Sequence, residues 1–201
     1  MGCLEYNETL SLEENVKKLI PSLLKFITLA DEGERLDGYI IEIKGEKYCS
    51  NVSSFASTVK QTLEIIASHD PSGINIMKFK GISSSSWYFS FCNAPIFVTT
   101  FAPFYTSSHC RYMHSIPELA NTCYILLQPE ISFLHNNVGE DTPHTNWENP
   151  QSIRDRIRCS FRKHQREYYI PPTNRSPIAE MIVLHPNSTK EEFIPIKLWE
   201  A

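Results

Sequence analysis

"WYFSFCNAPIFVTTF" (residues 87–101) contains two runs rich in aromatic and β-branched residues, WYFSF and PIFVTTF, separated by a short polar break. Such residues suit the pleated, half-buried surface of a sheet, and neither run shows the spacing of a helix. A third run of the same kind, TCYILLQPEISF (122–133), follows one loop later. Segments 86–92, 95–101 and 122–130 are therefore expected as adjacent strands of one sheet.

The flanking sequence supplies helices to cover that sheet. SLEENVKKLIPSLLKFITLA (11–30) opens with a capping box, Ser11 to Glu14, ahead of apolar positions Leu12, Val16, Leu19 and Ile20. Pro21 is expected either to kink that helix or to start a second piece near Ser22. YIIEIKGEKYCS (39–50) reads as a β-hairpin turning at Lys44–Gly45. Residues 51–70 carry Phe55, Val59, Leu63 and Ile66 at helical spacing behind a serine cap, and INIMKFK (74–80) alternates as a strand. After the polar loop 135–150, QSIRDRIRCSFRKHQREYY (151–169) places Ile153, Ile157, Phe161 and Tyr168 on one face with Arg154, Arg158, Arg162 and Arg166 beside them, an amphipathic helix over 152–168. The remainder is punctuated by proline, with one strand-like run at 181–184. The sum is a single α/β (α+β) domain over 1–201, with a mixed, largely antiparallel sheet and helices packed against it.

Composition narrows the function classes. Hydrophobic residues make up 41% and charged residues 21% of the 201, as in an ordinary globular protein. A formal net charge of −4 argues against non-specific nucleic-acid binding, which needs a basic surface. No run approaches the ~20 apolar residues of a membrane span, and the N-terminus lacks the pattern of a secretory signal. The six cysteines are scattered without a C-x-x-C pair, which argues against the usual zinc or dithiol spacings. Reduced thiols in a cytoplasmic protein are the simplest reading.

Chemistry concentrates where the second strand empties into a loop, FVTTFAPFYTSSHCRYMHS (97–115). His109, Cys110 and Arg111 stand side by side there. The plain alternative is a polar loop that caps the sheet edge. The sharper reading is a ligand site: neutral imidazole binds iron well, and a guanidinium pairs with a carboxylate through its rigid fork. Aromatic residues including Trp87, Phe101, Phe104 and Tyr105 could wall a flat hydrophobic ligand or serve as core. His114 competes with His109, whereas His135 and His144 lie in a polar loop. A nucleophilic Cys110 would need a base in reach, and neighbours in an extended loop point apart. The basic helix lacks an aromatic stacking platform for nucleic acid, so a solvated face is the better reading.

Taken in order, four segments resemble the YqcI/YcgG family: SWYFSFCNAPIFV (86–98), FAPFYTSSHCRY (101–112), YILLQPEISF (124–133) and IRDRIRCSFRKH (153–164). Residues 86–164 match best. The resemblance implies a haem-dependent monooxygenase that hydroxylates nitrogen of a small guanidino or amino compound, using O₂ and an external electron donor. The alternative it leaves is a non-catalytic haem-binding carrier or sensor. It further implies haem b, with His109 as iron ligand, Arg111 and Tyr105 in contact with the cofactor, and Gln128 or an arginine of the basic helix as distal polar group. Cys110 and His114 remain alternative iron ligands, Glu118 and Glu130 are candidate substrate acids, and a homodimer stays open.

Overall fold

A computed structural model describes residues 5–79, 81–113, 119–139, 144–166, 168, 177–189 and 192–201. Helix α1 (Leu12–Asp31) starts at Ser11, whose hydroxyl accepts from Glu14 N–H at 3.2 Å while the Glu14 carboxylate accepts from Ser11 N–H at 2.8 Å. Pro21 lies inside this one continuous helix. Leu12, Val16, Leu19, Leu23, Phe26, Ile27 and Ala30 keep a single buried face on both sides of it, and that packing outweighs the lost backbone bond.

Strand β1 (Tyr39–Lys44) leads into a short helical turn, α2 (Glu46–Cys49), and then α3 (Val52–Ser68). The expected hairpin is absent. Gly45 sits at φ +128°, open in practice only to glycine, and its N–H donates to Asn121 O at 2.8 Å. The chain thus leaves the sheet at Gly45, and β1 pairs with a strand some eighty residues on. Asn51 caps α3, rather than a serine, accepting from Ser53 and Ser54 N–H, both at 3.0 Å.

Strands β2 (Phe89–Phe91), β3 (Ala94–Phe101) and β4 (Thr122–Pro129) complete a four-stranded antiparallel sheet in the order β1-β4-β3-β2. All three expected strands are present and adjacent. The β2–β3 turn uses Cys92 (φ 53°) and Asn93 (φ 62°), the left-handed pair that suits a two-residue hairpin. The Asp70 carboxylate, beyond the end of α3, accepts from Cys92 N–H at 3.1 Å and fixes that turn to the helix layer.

Two expected strands, and the end of a third, give way to helical turns. Ile76–Lys78 is a 3₁₀ turn, because Asn75 Oδ1 accepts from Lys78 N–H at 3.2 Å. Strand β4 stops at Pro129, and α4 (Glu130–His135) follows with that proline as its N-cap. Residues 181–184 join α6 (Ala179–Ile182) and its exit, and side chains from elsewhere take up their carbonyls. The basic helix α5 (Ile153–Lys163) forms as expected, a few residues shorter.

One face of the sheet carries Tyr39, Ile41, Ile43, Cys123, Ile125, Leu127, Val98, Phe89 and Phe91 into a common apolar cluster with α1 and α3. On the other face Ile40 and Phe97 are exposed. The helices and the antiparallel sheet make a mixed α/β fold with its core between sheet and helices.

Candidate functional site

At the end of β3 the chain turns through 102–112, and a row of rings runs from the core into this loop. Phe55 of α3 meets Phe104 edge-on with centroids 5.7 Å apart. Phe104 packs on Tyr105 at 4.4 Å, and Tyr105 stacks flat on His109 at 4.2 Å and 6°. The Tyr105 hydroxyl donates to Leu184 O at 2.7 Å, and burial raises its pKa. Two sequence-predicted residues, Tyr105 and His109, are thus in direct contact.

His109 is half-buried, and its imidazole is committed. Nδ1 accepts from Arg111 N–H at 3.0 Å. A neutral ring that accepts at Nδ1 carries its proton on Nε2. Burial, then the charges of Arg111 and Arg166, push the pKa down to about 4, against an upward pull from the His185 main chain. The ring is neutral at pH 7, the form that binds metals.

Arg111 is only 9% exposed. Its Nη2 donates to Met181 O at 3.3 Å, and its guanidinium lies 5.9 Å from the Phe101 ring centre. No carboxylate of the described residues pairs with it. A buried guanidinium so placed calls for an anion.

Arg166 is the residue that reading the chain undervalued. Gln165 (φ 55°) ends α5 in the left-handed conformation, with Arg166 N–H closing onto Phe161 O at 2.9 Å. The guanidinium then donates to the carbonyls of His109 (3.4 and 3.3 Å), Cys110 (3.1 Å) and Tyr112 (2.8 Å), between the rings of Phe161 and Tyr112. It acts as a clamp on the loop, and nothing in local sequence marks it among its neighbouring arginines.

Gln128 is not brought to this loop. It sits opposite Phe97 on β4, whereas Tyr124 sits opposite Phe101 where the loop begins. Four strand positions separate the two levels, about 13 Å. Glu130 is exposed at the start of α4, while His114 and Glu118 lie outside the described residues. Cys110 is buried, and its carbonyl is held by Arg166.

The family model of the YqcI/YcgG family matches residues 3–157. The chain belongs to the YqcI/YcgG family. No curated protein and no solved structure matches it. The family match covers the sheet, α1 to α4 and the His109 loop, and ends before Arg166 and the carbonyls at 181–185 that hold the loop.

The donor set at the loop fits haem in kind. His109 would hold the iron through a neutral imidazole, the form that binds metals. Arg111 offers a propionate a guanidinium that no described carboxylate occupies. The Nδ1 lone pair accepts from Arg111 N–H in this structure, so iron at that nitrogen replaces one hydrogen bond.

Proposed function

We propose that this YqcI/YcgG-family chain binds haem b at the 105–112 loop and serves as a monooxygenase that hydroxylates nitrogen of a small guanidino or amino compound. The observation that carries the reading is the pairing of a neutral, half-buried His109 with a buried Arg111 that has no carboxylate partner among the described residues. Family membership supports it, through the haem-dependent N-hydroxylases that the sequence resembles. His109 would hold the iron, Arg111 a propionate, and Tyr105 would back the imidazole. The bound haem supplies O₂ activation with electrons from an external donor. The protein's own part is to keep the ligand unprotonated, to fix the ring plane by stacking and to neutralise the propionate. No helix among the described residues is long and apolar enough to cross a membrane, and a cytoplasmic setting accords with the free thiols.

Purified protein titrated with haem tests the proposal. A saturable Soret band at one haem per chain is expected. His109→Ala should abolish stoichiometric binding with the fold intact by circular dichroism, and Arg111→Ala should weaken retention more than it alters the spectrum. Full haem affinity in His109→Ala would overturn the ligand assignment. Absence of O₂ consumption across guanidino and amino substrates, with haem bound, would leave the carrier-or-sensor reading.

A further inference from the structure

Two cysteines meet inside the core. Cys49 closes α2, and its sulfur lies 3.7 Å from Gly45 O. Cys123, on β4, pairs directly with Ile43 across the sheet, and its sulfur lies 3.7 Å from Ile43 O. Ile43 and Gly45 are alternate residues of one extended segment, pinned by the bond from Gly45 N–H to Asn121 O. Both thiols therefore hang over the same stretch of backbone, and each perturbs the other, lowering the pKa of Cys49 and raising that of Cys123. Both residues are closed to solvent, at 1% and 0% exposure, and neither belongs to the His109 loop.

We propose that Cys49 and Cys123 are an oxidation site: a low-molecular-weight disulfide joins them in an intramolecular bond that ties α2 to β4. Two S–H bonds break and one S–S bond forms. The two thiol protons and two electrons pass to the reagent's disulfide, which leaves as two thiols. The first attack produces a mixed disulfide on one cysteine, and the second, held against the same backbone segment, displaces the reagent thiol. Proximity favours this intramolecular step over a stable adduct. The neighbouring Cys49 thiol, and then burial, push the Cys123 thiol well above its ordinary range, so the reaction waits on opening of α2, a single turn with no side-chain cap. The other described cysteines, Cys92, Cys110 and Cys159, lie on the β2–β3 turn, in the His109 loop and on α5.

The test is to equilibrate the whole protein in graded mixtures of reduced and oxidised glutathione, alkylate the remaining thiols and map the peptides. A parallel sample is unfolded and refolded in the same buffers, so that slow access cannot hide the end state. The expected result is loss of two thiols per chain in one step and a Cys49–Cys123 cross-linked peptide. The oxidised form should unfold at a higher temperature than the reduced form. Cys49→Ser and Cys123→Ser should each remove the step, and if either fails to fold, the wild-type map decides. A persistent glutathione adduct on either residue, a different cysteine pair, or both thiols still free at the most oxidising ratio in the refolded sample would overturn the proposal.

Discussion

The two faces of the functional architecture are held by different forces. Between the sheet and α1/α3 the contacts are apolar, spread over many residues and contributed by segments whose periodicity announces them. At the 105–112 loop a few directed bonds do the holding: the Tyr105 hydroxyl on Leu184, Arg111 on Met181, and Arg166 on three carbonyls. The core can lose one contact and keep its geometry. The loop depends on single residues, and that is the difference to probe.

The largest expected effect is in the core. Leu63→Ala, at a fully buried α3 position, should destabilise by about 2–5 kcal/mol in urea unfolding. The pKa of His109, followed by NMR, should not move in that variant. A shift there would show that core and loop are not separable.

Arg166→Ala should cost roughly 2–3 kcal/mol, since it removes hydrogen bonds from a charged donor to three part-buried carbonyls. The pKa of His109 should rise, because one of the positive charges that depress it is gone. Arg166→Lys should not restore full stability: all three carbonyls are reached from the one Nη2, but an ammonium lacks the second donor, Nε, to His109 O and the flat guanidinium beside the Phe161 and Tyr112 rings. Full rescue by lysine would reduce the clamp to a charge effect.

The third comparison uses pH. Folded His109 titrates near 4, whereas an unfolded chain's histidine titrates near 6.5. Between those values the unfolded state binds more protons, so this ring's contribution is complete above about pH 6.5 and is lost as pH falls from 6.5 towards 4. The loss should amount to about 1–2 kcal/mol once screening of a half-buried ring is allowed for. His109→Gln should flatten that limb in unfolding measured at pH 4.5, 5.5 and 7, while Leu63→Ala should shift the whole curve without changing its slope.

The smallest effect belongs to Tyr105→Phe. It keeps the ring stack and deletes one hydrogen bond to Leu184 O, for about 0.5–1.5 kcal/mol. Thermal unfolding should register the change, and, if the proposed haem binding holds, affinity for added haem should fall only slightly. A large loss of haem would mean that the hydroxyl, and not the ring, orients the ligand loop.

The chain's own pattern determined the strands at β2, β3 and β4, the capped α1 and α3, and the amphipathic α5, because burial on a sheet or helix face repeats with a short period. It also singled out His109 and Arg111, since those residue types at a strand exit are chemically distinctive, and structure stacks Tyr105 on His109. Local pattern could not reveal that β1 pairs with β4 and not with its neighbour, since the decisive bond joins Gly45 to Asn121 across the fold. The same holds at 181–184, where an apolar run that reads as a strand has its carbonyls taken by Arg111, Thr100 and Tyr105. The level of Gln128, four strand positions from the start of the loop, is set by the antiparallel register, which sequence order does not show. Arg166, one arginine among several in a basic stretch and placed just past the end of α5, became the clamp through tertiary placement alone. A carbonyl anywhere in the chain looks the same in sequence, and only the fold decides which guanidinium reaches it.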